Sequence, residues 1–363
     1  MALDRITLSA FRNHAATRLD GTCALNLLVG ENGAGKTNVL EALSLFAPGR
    51  GLRRAALADM AMADSGRGFA VSADLHRRDA AMAEPVAIGT GTAPDRPGRR
   101  MVQVNGAEAS AASLGEWLAI GWLTPAMDGL FADSAGARRR YMDRLAVALF
   151  PDHAALAARF ERALRERNRL LADPAADEGW IEATERPLAE AGAALAWRRA
   201  ALVERLSQAL ASQPDEPFAR PVLAYRPGGP LEEAELAQAH AASRGRDREA
   251  GRTLTGPQRD ELAVTMARKG QPAALCSTGE QKAMLIALTL AHAGLASSGR
   301  PSVLLLDEIA AHLDPLRREA LFERLEEGAA QVWMTGTEPA PFAALAGTAA
   351  VWRVAGGSVE RVG

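Results

Sequence analysis

Hydrophobic positions follow two different periods along this chain. Over about the first hundred residues, short apolar segments alternate with turn residues: ITLSAF, ALNLLVG, GFAVSADLH, EPVAIGTG and RRMVQVNG, the last ending in the turn pair Asn105-Gly106. These predict strands of a mixed or antiparallel sheet, with one helix, TNVLEALSLF, among them. From about Trp117 to Gln213 the period becomes helical: Leu156, Phe160 and Leu164 fall in one run and Leu188, Leu195, Leu202, Leu206 and Leu210 in another, separated by LADPAADEG. This predicts a helical hairpin, too short for an extended coiled-coil arm. The Pro- and Gly-rich QPDEPFARPVLAYRPGGP and the polar ASRGRDREAGRT follow, the second read as a mobile connection. Strand-like segments then return as ELAVTMA, SVLLLDE, QVWMTG and AVWRVAGG. The expectation is an α/β protein with a sheet lobe split in sequence, 1–115 with 253–363, around an inserted helical lobe, 116–252. The short loop 276–281 is left open between the two.

Composition adds limits. The 363 residues suffice for two or three compact domains. Hydrophobic residues make up 48% but aromatics only 5%, so the cores should be aliphatic. The opening MALDRITLSAFRNH scatters charge and lacks an apolar run of signal-peptide length, and no later run is long enough to span a membrane. A cytoplasmic protein is expected. Two cysteines, Cys23 and Cys276, are too few for a disulfide framework or a self-contained zinc site, so both thiols should stay reduced. The net charge of −2 neither predicts nor excludes a nucleic-acid partner. Of the 42 cationic residues three are lysines, Lys36, Lys269 and Lys282, and 39 are arginines, a bias that discounts any arginine cluster and makes a lysine informative.

The chemistry begins at GENGAGKTN. Gly30, Glu31, Asn32, Gly33, Ala34, Gly35, Lys36 and Thr37 form the full phosphate-loop pattern after an apolar strand and before a helix. Glycines let backbone N–H groups close around phosphates, Lys36 reaches the β and γ oxygens of ATP, and the Thr37 hydroxyl faces Mg²⁺. SVLLLDE is its partner, an apolar run typical of a strand buried on both faces that ends in Asp307 and Glu308. Asp307 can hold the magnesium through water, and Glu308 can act as general base toward the attacking water. A further loop, Ser277-Thr278-Gly279-Glu280-Gln281, lies thirty residues before Asp307, and HLDP follows at 312–315. Ser277-x-x-Glu280 has the spacing of a capping box, so an ordinary helix start is one reading of it.

The order of phosphate loop, Ser-x-Gly-x-Gln loop, Asp-Glu strand and Leu-Asp turn resembles the ABC-type ATPase superfamily. Further motifs, LSAFRNH, GENGAGKTNVLEAL, GRGLRR, SAGARRRYMDRL, LTGPQRDEL, CSTGEQKAMLIALTLA, VLLLDEIAAHLD and QVWMTGTEPAPF, resemble the RecF family, related to SMC and Rad50 heads, along essentially the whole chain. The resemblance implies an ABC-type ATPase head in which Ser277, Gly279 and Gln281 close over ATP held by a second subunit, giving an ATP-dependent homodimer. It also implies binding of single- and double-stranded DNA at gaps, RecO and RecR as partners, assistance to RecA loading, and no membrane. The alternative is an ABC-type subunit driving a membrane or other protein partner, against which the long insertion argues. Departures from the family pattern are Gln258 and Glu261 in place of the usual His and Asp, the thinned acidic stretch TPAMDGL, and Cys276 in place of leucine.

Weaker candidates remain. Arg138, Arg139 and Arg140 open a stretch with nine arginines against four acids from Ala137 to Leu170, which reads either as a DNA-tracking face or as a solvated helix face. Arg12 reads as a nucleotide or DNA contact or as a loop arginine. Thr335 and Thr337 stand where transporter ATPases carry a γ-phosphate-sensing histidine, and read either as its replacement or as a strand-end turn. The six tryptophans show no base-stacking pattern and read as core.

Overall fold

The computed structural model describes residues 2–63, 65–76, 84–310 and 313–363. His312 of the HLDP motif lies outside them. The chain divides into two compact units, Met1–Asp128 with Glu216–Phe218 and Leu285–Gly363, and Gly129–Asp215 with Ala219–Met284. Residues 253–284, placed from sequence largely with the phosphate loop, therefore fall in the second unit, the loop 276–281 among them, and 116–128 fall in the first.

In chain order the elements begin with β1 (Leu3–Phe11), β2 (His14–Leu19), β3 (Leu25–Val29), α1 (Lys36–Ser44), β4 (Ala70–Leu75), β5 (Val86–Ala93), β6 (Arg96–Val104) and β7 (Ala107–Glu108). Next come α2 (Leu114–Trp117), β8 (Ala119–Leu123), α3 (Ala135–Leu149), α4 (His153–Ala172), α5 (Glu178–Ala211), β9 (Pro221–Arg226), α6 (Glu233–Glu249), β10 (Glu261–Met266) and β11 (Gln271–Pro272). The chain ends with α7 (Thr278–Ala296), β12 (Ser302–Leu306), α8 (Pro315–Glu327), β13 (Gln331–Gly336), β14 (Ala349–Ala355) and β15 (Ser358–Arg361).

The first unit holds two sheets. One has the order β15-β14-β3-β13-β12-β8 and is parallel except for the edge strand β15. Its strands β3, β12 and β13 are buried at every position, which is why they read as unbroken apolar runs and not as alternating ones. The other sheet is antiparallel, β2-β1-β4-β5-β6-β7, and its final hairpin turns at Asn105 and Gly106, both at positive φ as a tight two-residue turn requires. Between the sheets lies one core. Val39, Leu40, Leu43 and Phe46 from α1 and its end join Leu28, Leu305, Trp333 and Trp352 of the parallel sheet and Ile6, Leu8, Val71 and Leu75 of the antiparallel one. Each such side chain contributes about 1.5–3 kcal/mol relative to exposure.

Strand β8 corrects the sequence reading, which ran helix from Trp117. Ala119–Leu123 instead extends the parallel sheet, pairing Ser302 with Ala119 through to Leu306 with Leu123. Five residues are too few to separate a strand period from a helical one. Trp180 and Trp197, taken as core, are 67% and 61% exposed on α5, while Trp122, Trp333 and Trp352 are buried.

In the second unit α4 and α5 form the hairpin on either side of LADPAADEG, joined by Phe160, Leu188, Ala191 and Leu195. The segment ASRGRDREAGRT is not a mobile connection. Helix α6 runs through it to Glu249, and its Asp247 is fully buried against Arg167 of α4 at 2.7 Å. Arg167, also fully buried, donates further to Thr253 Oγ1, Glu185 and His240 O at 2.8, 3.2 and 3.1 Å. The two terminal nitrogens of Arg167 are met in this way, which offsets the cost of taking the charge out of water, while its buried Nε has no partner among the described residues. Arg199 ties Asp143 to Asp260, each at 2.8 Å, and Tyr225 donates to Asp260 at 2.6 Å. Burial alone raises Asp143, but the His153 bond and the Arg199 charge outweigh it and hold its carboxyl at about 2.

Candidate functional site

Residues 30–35 leave the end of β3 and enter α1 at Lys36. Gly30 admits no side chain, because a Cβ there would lie 2.1 Å from Val354 O. Gly35 takes φ 118° as the N-cap of α1, a left-handed value that favours glycine. The first-turn N–H groups of a helix have no partner within it, so α1 presents donors toward whatever the loop encloses. The loop is braced from outside by residues that sequence reasoning quoted but did not assign. Asn13 Nδ2 donates to Ala34 O at 3.0 Å, and Asn13 Oδ1 accepts from Asn38 Nδ2 at 2.7 Å. His14, fully buried, meets Gly35 O through Nε2 at 3.1 Å and Thr17 Oγ1 through Nδ1 at 2.9 Å. Burial pulls its pKa down against the opposing pull of the Gly35 carbonyl, and the Thr17 hydroxyl beside it donates on to Gly357 O at 3.0 Å. The only sequence signal was the FRNH turn between two short apolar runs.

The acids arrive on β12. Asp307 N–H donates to Leu123 O at 3.0 Å, prolonging the pairing with β8 one residue past the strand. Its Oδ1 accepts from Thr37 Oγ1 at 2.9 Å and from Thr335 Oγ1 at 2.9 Å. Glu308 sits at φ 53°, and its N–H donates to Thr335 Oγ1 at 2.8 Å. Lys36 Nζ donates to Gly30 O at 2.6 Å and Glu31 O at 2.9 Å. Burial lowers the Lys36 pKa, while Glu308 and Asp307 pull it back up. The first unit thus brings Gly30–Thr37, Asp307 and Glu308 to one place: a lysine, backbone donors, a hydroxyl beside one carboxylate, and a second carboxylate next to it. Among the described residues no group of three or more His, Cys, Asp or Glu could hold a metal by itself. A hydroxyl and a carboxylate 2.9 Å apart are nonetheless the hard oxygen donors that magnesium takes alongside phosphate.

The Ser277 loop belongs to the second unit, and its capping box is formed. Ser277 N–H donates to Glu280 Oε2 at 3.1 Å and Glu280 N–H to Ser277 Oγ at 3.3 Å. Lys269 holds the other oxygen of Glu280 at 2.5 Å, and its bond, with that of Ser277, lowers the Glu280 pKa. Gln281 Nε2 donates to Cys276 O at 2.9 Å, so its side chain fastens the loop from within. Ser277, Thr278 and Gly279 are exposed, and a Cβ on Gly279 would meet nothing within 4 Å.

The arginine candidates fare unevenly. Arg138 grips Glu261 with two bonds of 2.6 and 2.9 Å and also donates to Phe131 O and Asp133 O. Arg139 donates to Asp260 O at 2.8 Å, and Arg140 is exposed. On α4, Arg159, Arg165 and Arg169 face Glu190, Glu161 and Glu166. Arg12 is taken up by Glu41, which it holds with two bonds of 2.9 Å, and by Asp59 O. Thr335 is buried and Thr337 exposed.

A family model described as the RecF/RecN/SMC N-terminal domain matches residues 2–355. The solved structure of the recombination mediator protein RecF-ATP in the RecFOR pathway superposes with a TM-score of 0.86 at 22% identity, covering 100% of this chain and 98% of that one. The Smc head domain from Pyrococcus furiosus, solved bound to the C-terminal domain of ScpA, gives 0.56 at 16%, covering 99% and 96%. Fold and site together define a P-loop ATPase of the SMC-head class. The DNA replication and repair protein RecF of Mesorhizobium japonicum is 47% identical over 98% of this chain and 97% of its own length. The chain belongs to the RecF family.

Proposed function

We propose that this chain is a slow, magnesium-dependent ATPase of recombinational DNA repair that dimerises on ATP and binds DNA as the closed dimer. The observation that carries the reading is the meeting of Thr37 with Asp307, flanked by Lys36 and Glu308, in a chain 47% identical to a DNA replication and repair protein. The β and γ phosphates of ATP take the N–H donors of residues 33–37, and Lys36 exchanges its carbonyl partners for phosphate oxygens. Thr37 and Asp307 would hold the magnesium that comes with the nucleotide, which would supply charge neutralisation for the phosphates. Glu308 accepts the proton of the attacking water. Ser277, Gly279 and Gln281 cap the nucleotide of a second subunit, Ser277 and Gly279 from the exposed end of α7 and Gln281 by holding the Cys276 carbonyl. Gaps between single- and double-stranded DNA are the proposed substrate, with RecO and RecR as partners in assisting RecA. Of the arginine cluster, Arg140 is the residue left to meet DNA.

The test is complementation between subunits. Lys36→Ala and Ser277→Arg chains should each fail to dimerise on ATP, yet a mixture regenerates one complete site from the intact Lys36 of one and the intact Ser277 of the other. ATP-dependent crosslinking between differently tagged subunits should reappear, with wild type plus Lys36→Ala as control. If the control pair crosslinks and the complementary pair does not, Ser277 does not act on the neighbour's nucleotide. ATPase activity that ignores added DNA would point instead to a protein-driving subunit.

A further inference from the structure

Among the described residues, the hydroxyl of Thr335 bonds to both acids at the end of β12. It has a single proton, which goes to Asp307 Oδ1 at 2.9 Å, and it accepts the backbone N–H of Glu308 at 2.8 Å. Thr335 is 1% exposed, on a strand buried at every position. Both bonds are therefore made away from competing water, where they hold most strongly. Glu308 needs such a hold. A glutamate at φ 53° is in a region that non-glycine residues adopt only when their surroundings enforce it. The Thr37 hydroxyl donates to the same Asp307 oxygen at 2.9 Å, so Thr335 and Thr37 both hold that oxygen.

We infer that Thr335 is a positioning residue for hydrolysis: its hydroxyl staples Asp307 to the backbone of Glu308 and so fixes the direction in which Glu308 presents its carboxylate to water. The inference rests on the proposed role of Glu308 as base. It replaces the idea of Thr335 as a γ-phosphate contact, since the one proton it could offer a phosphate oxygen is already donated to Asp307.

Thr335→Val keeps the shape and removes both bonds. The expected result is a fall in kcat for ATP of about tenfold or more, as slight misplacement of a catalytic group costs that much, with ATP affinity and ATP-dependent dimerisation within about twofold of wild type. Thr335→Ser, which keeps the hydroxyl, should retain turnover within about threefold. In a Glu308→Gln background, adding Thr335→Val should cost almost nothing further, because the staple acts through Glu308. Normal kcat in Thr335→Val, loss of ATP affinity in proportion to kcat, or a serine variant as slow as the valine one would each overturn the inference. Normal turnover in Glu308→Gln would instead overturn the assignment of the base on which it rests. Should the valine chain fail to fold by circular dichroism, Thr335→Cys, a weaker donor and acceptor of similar size, takes its place with the same expected split.

Discussion

At the scale of single residues, the site sets a carboxylate with a solvent face beside one that is buried. Asp307 is 7% exposed and takes two hydroxyl donors, whereas Glu308 is half-buried. Glu308→Gln is therefore expected to leave ATP binding intact while slowing phosphate release by about 10²–10⁴-fold, and to accumulate an ATP-bound dimer visible by size-exclusion chromatography. A second prediction concerns Asp143 in the other unit. Its carboxyl lies at about 2 in the folded chain against 3.8 as the ordinary value, so the stability it contributes is complete above about pH 4 and lost as pH falls toward 2. The stability gap between wild type and Asp143→Asn, followed by urea unfolding, should be widest near neutral pH and narrow steadily below pH 4. A gap that does not change with pH would place the effect of Asp143 in packing and not in charge.

At the scale of elements, each motif sits where a strand ends or a helix begins. Glycines of the phosphate loop join β3 to α1, the acids end β12, and a capping box opens α7. Lys269, one of only three lysines, stands on the turn between β10 and β11 and holds Glu280 inside that box. An arginine-rich chain that keeps lysine here keeps a compact charge against the capping carboxylate. Lys269→Ala should leave melting temperature and the ATP affinity of a single subunit unchanged, since a half-exposed ion pair adds little to global stability. ATP-dependent dimerisation should nonetheless weaken by about fivefold, because Glu280 is then a bare negative charge beside the loop proposed to meet phosphate, in both sites of the dimer. Sedimentation with and without ATP reads the difference. Equal dimerisation would return Lys269 to the role of a surface cation.

At the scale of the whole molecule, the match to a RecF structure covers 100% of this chain, and no helix among the described residues is long and apolar enough to cross a membrane. The arginine excess could suggest a broad DNA-binding face, but much of it is internally spent: Arg138 on Glu261, Arg167 on Asp247, Arg199 on Asp143 and Asp260. Phosphate contacts should then be few. Arg140→Ala is expected to reduce the slope of log affinity for DNA against log salt by about one unit. Arg139→Ala should leave that slope unchanged, since Arg139 is tied to the Asp260 carbonyl. Equal slopes for Arg140→Ala and wild type would take the cluster out of the DNA interface altogether.

The sequence by itself determined what depends on local order. Gly30–Thr37 between a strand and a helix, the apolar run into Asp307 and Glu308, and the Ser277 capping box are each set by residues a few positions apart, and each is found in place. Tertiary structure decided what depends on partners far along the chain. Ala119–Leu123 became a strand because β12 offered it a parallel edge some 180 residues later, at Ser302–Leu306. ASRGRDREAGRT became the end of a helix because Arg167 demanded a buried counter-charge 80 residues on, at Asp247. Thr335 acquired its two bonds because β13 lies beside β12, a pairing that no period in either strand encodes. A hydrophobic pattern records how often a residue turns inward; it does not record which distant strand edge or opposite charge will be waiting there.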